Sequence, residues 1–138
     1  MTRREIRECA FIIIFEKSLR DDSAEELYEL ADEVEGLEVN DKVKEIVEGV
    51  IAHEEEIDSI ISKYSTKRAI PRIPKVSLSI LRIAVFEALY DDMTPVNAAI
   101  SEAVHLSQAY SYKEDTSFVN GVLSSFAKTI SGEENVLA

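Results

Sequence analysis

An all-α fold, a compact bundle of six to seven helices in two subdomains, follows from three features of this 138-residue chain. Apolar residues recur at steps of three and four in nearly every segment, the spacing that puts them on one face of a helix. Helix-capping residues stand where several of these segments begin. Four glycines, three prolines and no tryptophan leave little turn material for a β-rich chain.

The first helix is predicted from about Arg3 to Leu19. Thr2 and Glu5 occupy the Ncap and N3 positions of a capping box. Ile6, Cys9, Ala10 and Ile13 share an inward arc, the stretch from Ala10 to Phe15 is apolar all round, and Asp21-Asp22 breaks the helix. Ser23 and Glu26 form a second capping box. They open a helix with Leu27, Leu30, Ala31 and Val34 inward and Gly36 beyond its end. Asn40 or Asp41 caps the next segment, where Val43, Val47, Val50, Ile57, Ile61 and Tyr64 alternate by four and three, with Glu54 as the misfit. The pattern fits one long helix, or two with a bend near His53 to Glu56.

Pro71 and Pro74 flank a linker, and each disfavours helical geometry in the residue before it. The division between subdomains of about 1–66 and 74–130 therefore falls here, within one domain spanning 1–138. Lys75 to Tyr90 is the most hydrophobic helix, with Leu78, Leu81, Val85 and Leu89 as its buried stripe. Thr94-Pro95 reads as an Ncap threonine followed by an N1 proline, leading a helix to about Tyr110. Ser111 to Thr116 reads as a polar loop, Ser117 to Ile130 as the last helix, and 131–138 as a frayed tail.

The net charge of −12 is divided along the chain. Residues 1–20 carry +2, 21–62 carry −14, 63–82 carry +6 and 83–138 carry −6. Such a balance disfavours non-specific binding to nucleic acid but leaves room for a local cationic site. No apolar stretch approaches the roughly 20 residues that span a bilayer. The N-terminus lacks the apolar segment and cleavage site of a signal peptide. Cys9 is the only cysteine. These features predict a cytoplasmic protein.

Catalysis is hard to build from these residues. His53 and His105 lie in different helices and belong to no metal-ligand pattern. Glu54, Glu55 and Glu56 are consecutive and point in different directions. Cys9 falls on the inward arc of the first helix, where a thiol is an inert small hydrophobe. There is no glycine-rich phosphate loop and no nucleophile elbow. We expect no enzyme, no cofactor and no metal.

Binding chemistry has more support. Arg3, Arg4 and Arg7 fall within one arc of roughly 100° on the first helical turns. Cations there oppose the helix dipole, which points either to a bound anion or to a solvated basic turn. Near the C-terminus stand Tyr110, Tyr112, Lys113 and then Phe118-Val119-Asn120-Gly121. Single-stranded RNA is read by aromatic stacking, hydrogen bonds to base edges and arginine on phosphate. Phe118 is otherwise a core residue and Asn120 a local cap or bridge. Gly121, costly in a helix by up to about 1 kcal/mol, otherwise allows close helix packing.

Four motifs carry a resemblance over roughly Thr2 to Ile130. They are Arg3-Arg4-Glu5-Ile6-Arg7-Glu8-Cys9-Ala10, Ile80-Leu81-Arg82-Ile83-Ala84-Val85-Phe86-Glu87, Pro95-Val96-Asn97-Ala98-Ala99-Ile100-Ser101-Glu102-Ala103-Val104 and Phe118-Val119-Asn120-Gly121-Val122-Leu123. Each is weak alone, but in this order and spacing they resemble the NusB family of transcription antitermination factors. The chain departs from the family pattern at Ser117, where a basic residue is usual, and at Ser111-Tyr112, in place of a Gly-Ala-type turn.

The resemblance implies an all-helical fold and a partner, the ribosomal protein NusE. The pair would bind the boxA RNA of nascent ribosomal RNA transcripts and join the RNA polymerase antitermination complex. By position, Arg3, Arg4 and Arg7 match the family's RNA-binding arginines, and Phe118 and Asn120 lie in its C-terminal motif. With Lys113 these residues make the candidate RNA site. Either the acidic 21–62 segment or the face of the Lys75 to Tyr90 helix would dock NusE. The alternative is a helical protein-interaction adaptor or homodimer with no direct RNA role. Two expectations follow for the structure: the starts of the first and last helices lie side by side, and replacing the three arginines by alanine leaves folding intact.

Overall fold

The computed structural model describes residues 1–34 and 36–137, with side chains described as far as Ile130 and Glu35 left out. Among the described residues there are seven α-helices and no strand. α1 (Arg3–Leu19) begins at its capping box, the Thr2 hydroxyl accepting from the Glu5 N–H at 3.1 Å. α2 (Ala24–Asp32) begins in the same way at Ser23, which accepts from the Glu26 N–H. Leu27 and Ala31 are buried as expected, but Leu30 and Val34 are exposed. The helix stops at Asp32, so Val34 leaves its register. Leu30 borders the open groove between α1 and α2 instead of the core. Gly36 takes φ +90°, a left-handed turn that suits glycine.

Asn40, rather than Asp41, caps α3 (Asp41–Ala52) by accepting from the Val43 N–H at 2.9 Å. The alternating apolar run is two helices. His53 interrupts it at φ −111°, ψ 18°, and α4 (Glu54–Tyr64) resumes the pattern. Glu54 does not point into the core; it joins Asp58 in pairing with Arg82. The proline linker carries one 3₁₀ turn, Ile70–Arg72, and buries Ile73 behind it.

α5 (Lys75–Tyr90) is the central element and packs against α1, α3, α4, α6 and α7. Being enclosed, it buries far more than one stripe: Ser77, Ser79, Ile80, Ile83, Ala84 and Glu87 join Leu78, Leu81 and Val85. Leu89, expected in that stripe, is exposed near the open C-terminal end. α6 (Val96–Tyr110) follows Pro95, and Thr94 is not its Ncap. The Thr94 hydroxyl is drawn back to the carboxylate of Asp91 at 2.6 Å.

α7 (Lys113–Leu137) starts four residues before the expected Ser117. The polar stretch Lys113 to Thr116 is its first turn, where Glu114 and Asp115 favour the helix dipole. Ser107, Ser111 and Thr116 share hydroxyl hydrogen bonds of 2.7 and 2.8 Å across the α6–α7 corner. Where a frayed tail was expected over 131–138, the helix continues to Leu137. One apolar cluster, including Phe11, Ile13, Ile57, Ile61, Leu81 and Leu123, runs through both halves of the chain.

Candidate nucleic-acid interface

The arginine arc of α1 faces the corner between α5 and α6, and its members meet different fates there. Arg7 is buried at 7% exposure. Its Nε donates to both carboxylate oxygens of Glu87, at 2.8 and 2.9 Å, and Glu102 lies 4.0 Å from its Nη1. Glu87 also accepts a long hydrogen bond from the Thr94 hydroxyl. Arg7 therefore anchors α1 to α5 with its guanidinium turned inward, which weighs against the expectations that it meets a phosphate and that its removal leaves folding intact. A wheel of α1 alone could not show this, because the counter-charge comes from a helix eighty residues away.

Arg4 is exposed and forks onto Glu102 of α6, through Nε at 3.1 Å and Nη2 at 3.0 Å. The hydrogen bond from Arg4 holds the Glu102 carboxyl below the usual carboxylate range. Arg3 is exposed, and its only hydrogen bond among the described residues is a long one to the Met93 carbonyl. Two arginines thus remain open to solvent at the N-terminal turn.

The C-terminal residues divide between two hollows. Phe118 and Asn120 are two positions apart, hence about 200° apart around α7. The Phe118 ring is half-buried, with the Arg68 guanidinium 4.5 Å above it. Asp115 holds Arg68 in place at 3.1 Å. Tyr64, Lys67 and Gly121 line the same hollow. Asn120 is exposed on the other flank of α7 and shares its hollow with Arg4. Lys113 is exposed at the first turn of α7, beside Tyr112.

The starts of α1 and α7 are not packed side by side as expected. α6 links them: it packs along α7 and reaches α1 through Arg4–Glu102 and Phe11–Tyr110. Tyr110, part of the aromatic group in the sequence, is a strut. Its ring lies 4.9 Å from Phe11 and its hydroxyl donates to Glu8. Burial, with that hydrogen bond, pushes its phenol up to about 12. The close-packing reading of Gly121 also fails, because nothing lies within 4 Å of where its Cβ would be.

Sequence reasoning missed Tyr64, Lys67 and Arg68 as neighbours of Phe118. The signal was the basic 63–82 segment, whose charge was evident but whose place in space was not. Cys9 is 1% exposed, and burial pushes its thiol up, away from nucleophilic reactivity. Among the described residues no group of three or more His, Cys, Asp or Glu could hold a metal ion. None of the described helices is long and apolar enough to cross a membrane. The chemistry on offer is cation, aromatic ring and amide at the surface, suited to holding a polyanion with exposed bases.

Comparison with known proteins gives a consistent result. A family profile described as NusB matches residues 4–128. The transcription antitermination protein NusB of Acetivibrio thermocellus is 39% identical over 141 residues, covering 98% of this chain and 97% of its own. That of Oceanobacillus iheyensis is also 39% identical, covering 90% and 97%. Among solved structures, the chain is similar to one in a crystal structure of the antitermination factors NusB and NusE in complex with double-stranded RNA. The TM-score is 0.81 at 30% identity, covering 92% of this chain and 96% of that one. Thermotoga maritima NusB also superposes at a TM-score of 0.81, with 28% identity and coverage of 93% and 92%.

Proposed function

The chain belongs to the NusB family, and from that premise we propose that it is an RNA-binding transcription antitermination factor acting with the ribosomal protein NusE. Its target in this reading is the boxA RNA of nascent ribosomal RNA transcripts, and its setting is the cytoplasmic RNA polymerase antitermination complex. The work is binding, not catalysis.

The observation that carries the reading is the exposure of Arg3 and Arg4 at the N-terminal turn of a protein whose net charge is −12. Phosphates fit these two guanidiniums, with Lys113 adding charge at the start of α7. Phe118 offers a ring for stacking, which is worth about 1–3 kcal/mol per base. Asn120 offers an amide to a base edge. Arg7 belongs to the same site as a positioning residue: its bond to Glu87 fixes the turn that presents Arg3 and Arg4.

An acidic protein repels an incoming polyanion, so a basic partner has a clear electrostatic part to play. The acidic surfaces of α2 to α4 are the more open of the two docking candidates, because α5 is enclosed by five other helices.

Titrating labelled boxA RNA with this chain, with NusE and with the two together tests the proposal. The mixture should bind more tightly than either protein alone. Equal affinity with and without NusE would overturn the cooperative reading. A complete absence of RNA binding, together with dimerisation in sedimentation, would favour the adaptor or homodimer. The exposed Leu30 and Val34 in the α1–α2 groove would then be its natural contact.

A further inference from the structure

We propose that the hollow between α6 and α7 reads unstacked bases of single-stranded RNA through Asn97, Gln108 and Asn120. The inference rests on the RNA-binding reading above and adds a base-specific site to it.

The chain contains five side-chain amides in all, Asn40, Asn97, Gln108, Asn120 and Asn135. Asn40 is used as the cap of α3, and Asn135 lies beyond Ile130, the last residue whose side chain is described. The other three line one hollow of about 580 Å³, within the range of roughly 300–1,000 Å³ typical of ligand sites. All three are exposed, and among the described residues none makes a side-chain hydrogen bond within the chain. Their convergence is not required by the fold.

The chemistry of the hollow is selective. An amide both donates and accepts, which matches the mixed edges of nucleobases; a site for phosphate alone would need cations. α6 carries one carboxylate, Glu102, which Arg4 offsets, no lysine or arginine, and one histidine, His105, which also lines the hollow. This neutrality is unusual in a chain that is 30% charged. Ile100 and Val104 are half-buried and give the hollow an apolar lining against which a base plane can lie. Arg4 lines the same hollow, so a phosphate on Arg4 would bring its neighbouring base to the amides. RNA is read in this way where single-stranded bases are splayed from the stack.

The test uses the complex with NusE and a set of single-stranded boxA RNAs in which each base in turn is replaced by an abasic site. With the unaltered protein, one or two positions should lose about tenfold in affinity, the scale of one bidentate base contact. A variant carrying Asn97→Ala and Gln108→Ala should bind the intact RNA about tenfold more weakly and show no further loss at those positions. Melting temperatures should agree, because both side chains are exposed. If the variant keeps the full position-dependent pattern, the hollow is not a base reader, although RNA binding as such stands. Weakened binding to NusE with unchanged RNA contacts would make the hollow a protein-docking site and overturn the inference. If the unaltered complex binds no RNA at all, the proposed function fails and the inference falls with it.

Discussion

Arg7 shows how one position can carry a family's functional pattern and a structural duty at once. Its guanidinium and the Glu87 carboxylate are both buried, at 7% and 3% exposure. Removing one member of such a pair leaves the other uncompensated in a low-dielectric interior, at a cost of about 3–5 kcal/mol. Arg7→Ala should therefore lower stability by that amount in urea unfolding, whereas Arg3→Ala, in an exposed turn, should change it by less than about 0.5 kcal/mol. Replacing both partners with apolar residues, Arg7→Met with Glu87→Leu, should recover most of the loss. An Arg7→Ala protein as stable as the parent would show that the pair contributes no more than its desolvation removes. The sequence made the three arginines visible because they share a helical arc. It could not separate them, because burial depends on Glu87 and Glu102 arriving from α5 and α6.

At the scale of elements, legibility followed local signals. The capping boxes at Thr2 and Ser23 marked helix starts that the structure reproduces, because a cap is chemistry within four residues. Thr94 misled because a carboxylate at Asp91 competed for its hydroxyl. The start of α7 was missed because Lys113 to Thr116 is polar on every side and has no apolar period to betray a helix. Glycines divide in the same way. Gly49 lies inside α3, where an added Cβ would collide with the Phe86 ring, and that ring is backed by Tyr90. Gly121 lies inside α7 with empty space around it. Alanine improves helix propensity at both sites by up to about 1 kcal/mol. At position 49 overpacking costs about 1–3 kcal/mol and should win. Gly49→Ala should lower the melting temperature and Gly121→Ala should raise it; the same sign at both would refute the packing argument.

The whole molecule is an acidic body, and several of the cations that make its basic segments are already committed to carboxylates. Arg68 and Arg82, two of the charges that make 63–82 basic, are committed to Asp115 and to Asp58 with Glu54. Arg7 and Arg20 are likewise paired, with Glu87 and Asp22. What the tertiary structure leaves at the N-terminal turn is Arg3 and Arg4, and Arg4 could meet a phosphate only by giving up the Glu102 carboxylate. Each phosphate contact to single-stranded nucleic acid contributes about 0.7 to the slope of log affinity against log salt. If both arginines contact phosphate in the complex with NusE, the Arg3→Ala, Arg4→Ala protein should show a slope smaller in magnitude by about 1.4. Its affinity at low salt should be weaker, and the two titration lines should converge as salt rises. Parallel lines across the salt series would mean that neither guanidinium meets a phosphate. Arg7 is left unaltered in that comparison, because its removal would confound lost contact with lost fold.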